Sequence, residues 1–198
     1  FSVGLADTVY ANHFGNTFPV LLFIGRLTPV KRIDLLIKAI SVLRKRGNDY
    51  NLMLVGDGTE REELEQIVRD EHLVDWVWFY GACYDEVTNA RLIYNVDLCV
   101  APGNIGLTAM HTMVFGTPAI THDSFEWQMP EFQAIKDGQT GTFFQKDNVD
   151  SLADTIQRWF DNHTDREAIR QACYDEIDTN WKPLFQIEVL KKRVKSVN

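Results

Sequence analysis

Apolar residues follow two alternating patterns along this chain. Short continuous runs occur at 21–24, 52–55, 77–79, 98–101, 119–121 and 142–144. Runs this short, apolar at nearly every position, are the mark of strands buried on both faces of a parallel sheet. Between the early runs the period becomes helical: Ile33, Leu36, Ile37, Ile40 and Leu43 make one stripe, and Asp34, Lys38, Arg44 and Lys45 lie off it. A second helix is predicted to start at Thr59, whose hydroxyl would cap it while Glu62 reaches back, with Leu64, Ile67 and Val68 on its inner face. Residues 85–95 and 106–115 read as two more helices, the latter stopped by Gly116 and Pro118.

This alternation predicts an α/β fold, a doubly wound, Rossmann-like parallel sheet of about six strands with right-handed crossovers. After Phe144 only helices follow, over 149–160, from a capping box of Thr164 and Glu167, and over 183–194. Residues 1–18 have no clear period and are expected to be irregular, 19–180 to form the domain, and 181–198 to be a terminal helix.

Composition narrows this picture. The 198 residues, 45% of them hydrophobic, suffice for one well-cored domain with a tail. The chain opens on Phe1 without a leader pattern, so it is expected to be cut from a longer protein. No apolar run approaches the roughly 18 residues of a bilayer-spanning helix, so a soluble, cytoplasmic protein is expected. With 20 basic and 28 acidic side chains the net charge is −8, which disfavours a broad nucleic-acid-binding surface and confines phosphate contacts to local sites. Cys83, Cys99 and Cys173 are widely spaced among apolar neighbours and read as buried reduced thiols.

In an open α/β sheet, ligands bind beyond the carboxyl ends of the strands, so the chemistry is sought just after each apolar run. The first such segment holds Gly25, Arg26, Lys31 and Arg32, where a guanidinium beside an ammonium suits a diphosphate. Cations at a helix start oppose the macrodipole, a small cost that a bound anion would remove. The second, Gly56-Asp57-Gly58, is read as a tight turn serving topology, because Asp57 would repel a pyrophosphate. The third runs from Gly103 through Asn104, Gly106, Leu107 and Thr108 to His111. A glycine-rich loop opening a helix exposes backbone N–H groups, Thr108 adds a hydroxyl, and His111 lies one turn further on the same face. The fourth spans 121–131, where Phe125 or Trp127 would offer a flat apolar face to a sugar or base, and Pro130 and Glu131 would begin a short helix.

In this order the segments resemble the C-terminal domain of family-4 glycosyltransferases, retaining enzymes of the GT-B fold. The resemblance rests on Phe23-Ile24-Gly25-Arg26-Leu27 with Lys31, Leu54-Val55-Gly56-Asp57-Gly58, Phe79-Tyr80-Gly81, Asp97-Leu98-Cys99-Val100-Ala101-Pro102, Phe115-Gly116-Thr117-Pro118, and Pro130-Glu131 through Asp137-Gly138-Gln139-Thr140-Gly141. It implies that Arg26 and Lys31 hold the diphosphate of a nucleotide-sugar donor. The family also carries two glutamates separated by seven residues; the aligned positions here are Gly103 and His111. Either this is a divergent subgroup whose loop grips the diphosphate differently, or the fold has been kept without activity.

The implied reaction transfers a sugar from a nucleotide diphosphate sugar to a hydroxyl acceptor with retention, in glycan or polysaccharide assembly. Arg26, Lys31 and His111 are the expected catalytic residues, with Gly25, Gly103, Asn104, Gly106, Leu107, Thr108 and Glu131 binding the donor. No metal or other cofactor is expected, since cations and helix N-terminal amides can carry the charge on the leaving diphosphate. The acceptor site is expected on a missing N-terminal half, toward which the last helix would cross back. Lys191, Lys192, Arg193 and Lys195 read as a solvated face, with contact to an anionic membrane as the sharper reading. A non-enzymatic nucleotide-sugar-binding module and a nucleotide-sugar epimerase are the alternatives.

Overall fold

A computed structural model describes residues 8–181. Its six strands are β1 (Val20–Ile24), β2 (Asn51–Val55), β3 (Val77–Gly81), β4 (Leu98–Val100), β5 (Ala119–His122) and β6 (Gly141–Phe144). They form one parallel sheet in the order β3-β2-β1-β4-β5-β6. The predicted doubly wound sheet is therefore present. The order reverses between β1 and β4, and the loops leaving these two strands open a crevice at that switch point.

Seven helices flank the sheet among the described residues: α1 (Val9–Phe14), α2 (Ile33–Lys45), α3 (Arg61–Asp70), α4 (Glu86–Asn95), α5 (Thr108–Met113), α6 (Val149–Asn162) and α7 (Arg166–Glu176). Period-2 alternation of the strands explains why their apolar runs are unbroken. Leu21, Phe23, Leu52 and Leu54 point to the layer of α2, α3 and α6, while Val20, Leu22, Met53 and Val55 point to α1 and α4. Beside the second layer, Cys99 and Ala119 pack on Ala109 and Met113 of α5 and Cys173 of α7. The stripe read on α2 is the buried one: Ile33, Leu36, Ile37, Ile40 and Leu43 are all 0% exposed. Each contributes about 1.5–3 kcal/mol of transfer free energy.

Several local expectations are corrected. Residues 9–14 are not irregular; they form α1, which docks through Tyr10, whose hydroxyl donates to the Leu92 carbonyl at 2.8 Å. His13 stacks on Trp78 with ring centroids 3.7 Å apart. Six residues are too few to show a period. Helix α3 begins at Arg61, not at a Thr59 cap: the Arg61 N–H, which that cap would accept, donates to the Gly58 carbonyl at 3.2 Å, and the Glu60 N–H to the Leu27 carbonyl at 3.1 Å, a tertiary contact. Helix α7 is capped by Asp165, whose carboxylate accepts the Ala168 N–H at 3.0 Å, and not by a box of Thr164 and Glu167. Helix α5 is shorter than 106–115, since its ends tighten into i−3 bonds: Thr108 N–H to Ile105, Ala109 N–H to Gly106, and Gly116 N–H to Met113.

Cys99 and Cys173 are buried, and burial pushes both thiols up to about 12. Cys83 departs from expectation in being half-buried. No described helix is long and apolar enough to cross a membrane. The predicted helix over 183–194 and the basic cluster at 191–195 lie outside the described residues.

Candidate functional site

The loop after β1 is wedged between the loops after β2 and β4. Toward β2, the Gly25 N–H donates to the Val55 carbonyl at 2.9 Å and the Leu27 N–H to the Asp57 carbonyl at 3.0 Å. Gly56 allows this approach, because a Cβ there would lie 1.8 Å from the Gly25 carbonyl oxygen. The turn at 56–58 thus serves the backbone, as its composition suggested. Toward β4, the Gly103 N–H donates to the Lys31 carbonyl at 3.0 Å, and a Cβ on Gly103 would lie 2.0 Å from the Val30 carbonyl oxygen. Gly103 is a packing residue that lets two loops meet. A glutamate, which the family carries there, could not be seated without moving one of them.

Two cations sit in this wedge. The Lys31 ammonium donates to the backbone carbonyl and the side-chain oxygen of Asn104, each at 2.8 Å. An ammonium has three donors, so this pair aims the third. Burial, and then the nearby Arg26 guanidinium, hold the Lys31 pKa below the usual lysine range. Arg26 is exposed, and its guanidinium makes no hydrogen bond or ion pair among the described residues. Two adjacent cations with an open edge are a ready receptor for a doubly charged anion. Arg32, by contrast, pairs with Asp34 and Asp147 and is turned from the crevice charge.

Past Asn104, Ile105 is buried while Leu107 is 71% exposed. The N–H groups of Gly106 and Leu107 make no hydrogen bond among the described residues. The Thr108 hydroxyl donates to the Ile24 carbonyl at 3.4 Å, tying α5 to the end of β1. His111 is exposed on α5, its ring edge-on to Phe115 at 5.9 Å. Desolvation by its neighbours lowers the imidazole pKa, and Glu86 of α4 partly opposes this. Among the described residues it makes no hydrogen bond or ring contact with Arg26 or Lys31; it stands at the α4 side of the loop.

The segment after β5 forms short 3-10 turns at Phe125–Trp127 and Pro130–Ala134, the second opening on Pro130 as read from sequence. Phe125 stacks on Phe132 at 4.7 Å, so it is packing more than platform. Trp127 is 65% exposed, with the Lys146 ammonium 5.2 Å from its ring. Glu131 has one carboxylate oxygen shielded from solvent with no hydrogen-bond partner. Sequence reading missed Gln128, whose amide joins this segment to the Gly103–Leu107 loop through the Ile105 N–H. A lone glutamine in a polar loop carries no periodic or motif signal.

Comparison with known proteins bears on the family and the fold. The profile of the family described as "Glycosyl transferases group 1" matches residues 11–176. Alpha-D-kanosaminyltransferase of Streptomyces kanamyceticus is 26% identical over 156 residues, 77% of this chain and 39% of that protein. Poly(ribitol-phosphate) alpha-N-acetylglucosaminyltransferase of Staphylococcus aureus is 25% identical over 153 residues, 76% of this chain and 30% of that protein. The chain thus spans well under half the length of these relatives. Among solved structures, the C-terminal domain of the group 1 glycosyl transferase LpcC from Francisella tularensis superposes with a TM-score of 0.68 at 24% identity, covering 84% of this chain and 87% of that one. Anabaena Alr3699/HepE, in complex with UDP, superposes at 0.74 with 20% identity, over 96% of this chain and 52% of that one. These two likenesses share the Rossmann-like fold. With the profile spanning most of its length, the chain belongs to the group 1 glycosyl transferases.

Proposed function

We propose that this chain is the donor-binding half of a retaining, metal-independent glycosyltransferase that moves a sugar from a nucleotide diphosphate sugar to a hydroxyl acceptor. The observation that carries this reading is the pair Arg26 and Lys31 beside the unbonded N–H groups of Gly106 and Leu107, at the sheet's switch point. Departure of the sugar leaves negative charge on the diphosphate, and a cationic pair with backbone amides stabilises that charge without a metal. Glu131 offers an acceptor to a sugar or ribose hydroxyl, and His111 a proton-bearing ring at the loop's far side. Gly25 and Gly103 contribute by letting the backbones approach, and Asn104 by aiming Lys31. Thr108 supports the loop through its hydroxyl's bond to the Ile24 carbonyl.

Uridine diphosphate is the first donor nucleotide to test, since HepE is related in fold and was captured with UDP. The acceptor site belongs to the part of the protein outside this chain, and glycan assembly in the cytoplasm is the setting this reading expects. The full-length protein, given UDP-sugars with a hydroxyl acceptor pool, should release UDP and form a glycoside of the donor's anomeric configuration, unchanged by EDTA. Recovery of only a C2-epimerised nucleotide sugar would replace transferase by epimerase. Donor binding without turnover would leave a binding module.

A further inference from the structure

Resting on that reading, we propose that Gln128 is a positioning residue that sets the shape of the diphosphate-cradling loop from behind. Its side-chain oxygen accepts the Ile105 N–H at 3.0 Å. Its side-chain nitrogen donates to the Thr121 hydroxyl at 2.8 Å and to the His122 carbonyl at 3.3 Å. Thr121 is fully buried, and its hydroxyl oxygen lies 2.9 and 3.1 Å from the carbonyl oxygens of Ala101 and Gly103, between which it shares its one proton.

The consequence is an alternation along the loop. Ala101, Gly103 and Ile105 are each tied to the Thr121–Gln128 pair on the inner side. The groups left for the other side are those of the intervening and following residues: the Asn104 oxygens that hold Lys31, and the free N–H groups of Gly106 and Leu107. Met129, the next residue, would lie 3.7 Å from a Cβ on Gly106, so the same segment also backs the loop's crest. With the Ala101 and Gly103 carbonyls and the Ile105 N–H held on the inner side, the peptide groups between and after them are constrained as well. Without Gln128 the buried Ile105 N–H would lose its partner, and the loop would shift to find another.

Gln128 touches no predicted ligand atom, so its role is read in which ligand loses affinity. In the full-length protein, calorimetric titration with UDP, GDP and ADP, and with the matching monophosphates, gives the ratio of diphosphate to monophosphate affinity. Gln128→Met keeps the length of the side chain and removes its hydrogen bonds; it should lower this ratio about tenfold while the monophosphate still binds. Thr121→Val, nearly isosteric, removes the other half of the network and should lower the ratio in the same direction, which keeps the test open if Gln128→Met fails to fold. An unchanged ratio in folded variants, or equal losses for both nucleotides, would overturn the positioning role and leave the donor reading standing. If the unaltered protein binds none of the three diphosphates, the donor reading fails and this inference fails with it.

Discussion

The Lys31 ammonium is held by two oxygens of a single residue, the main-chain carbonyl and the side-chain oxygen of Asn104, both at 2.8 Å. The two residues are 73 positions apart in sequence, and they lie on the loops leaving β1 and β4, the strands between which the sheet reverses. Asn104 was expected to contact the donor itself. In the structure its oxygens hold Lys31, the cation proposed to make that contact. Asn104→Ala removes the side-chain oxygen and keeps the carbonyl, so nucleoside diphosphate affinity should fall about 3- to 10-fold, whereas Lys31→Ala should cost about 10- to 100-fold. Calorimetry on both variants checks the order; equal losses would mean that Asn104 binds ligand directly.

Gly103 separates packing from binding. A Cβ there would sit 2.0 Å from the Val30 oxygen and 2.8 Å from the Lys31 Cα. Gly103→Ala should therefore push the two loops apart, lower stability by about 1–3 kcal/mol in chemical denaturation, and weaken diphosphate binding. Gly103→Glu, which supplies the family's residue, should restore no function for the same reason.

His111 predicts a pH dependence. Its free-state pKa lies below the usual histidine value, chiefly through desolvation, so the ring takes up its second proton at lower pH than an ordinary histidine. An anion bound beside it would raise that pKa, and binding then takes up a proton. Affinity should rise as pH falls from 7 through the bound-state pKa and level off below the free-state one. Titrations from pH 7.5 to 5 test this, and His111→Gln should flatten the rise. A rise that persists in the variant would assign it to another group, such as the diphosphate itself.

Lys31 gives the opposite limb. Its pKa is lowered by burial and by Arg26, so the ammonium is lost at lower pH than an ordinary lysine would lose it. If the ammonium is what binds, affinity is complete below that pKa and falls about tenfold per pH unit above it. Alkaline titration of the unaltered protein against Lys31→Arg, which stays charged, separates this from general unfolding.

The core makes a plainer prediction. Leu36 is fully buried between the sheet and α6 in the largest apolar cluster. Leu36→Ala should cost about 2–5 kcal/mol in denaturant unfolding, with diphosphate affinity unchanged in the fraction that remains folded.

Much of this was legible in the residues because burial leaves a periodic trace. Leu21 and Leu22 face opposite layers, and that two-sided burial is why the strand reads as a continuous run. Arg26 and Lys31 could be singled out as candidates because a strand end followed by cations is a local signal. What could not be read depends on distant partners. The start of α3 is set by the Leu27 carbonyl, the role of Thr108 by the Ile24 carbonyl, and that of Gln128 by the Ile105 N–H. Each is a hydrogen bond between segments that only the folded sheet brings together. Helix α1 was missed for a related reason: its docking rests on Tyr10 and His13 against Leu92 and Trp78, far along the chain.

The central claim is that Arg26 and Lys31 receive a nucleoside diphosphate. Titration of the full-length protein with UDP, GDP and ADP in the absence of metal, repeated on Arg26→Ala and Lys31→Ala, tests it most directly. One diphosphate should bind, and both variants should weaken it by at least about tenfold while keeping the unaltered protein's melting temperature within a few degrees. Binding that survives both substitutions, or no binding of any of the three by the unaltered protein, would contradict the account.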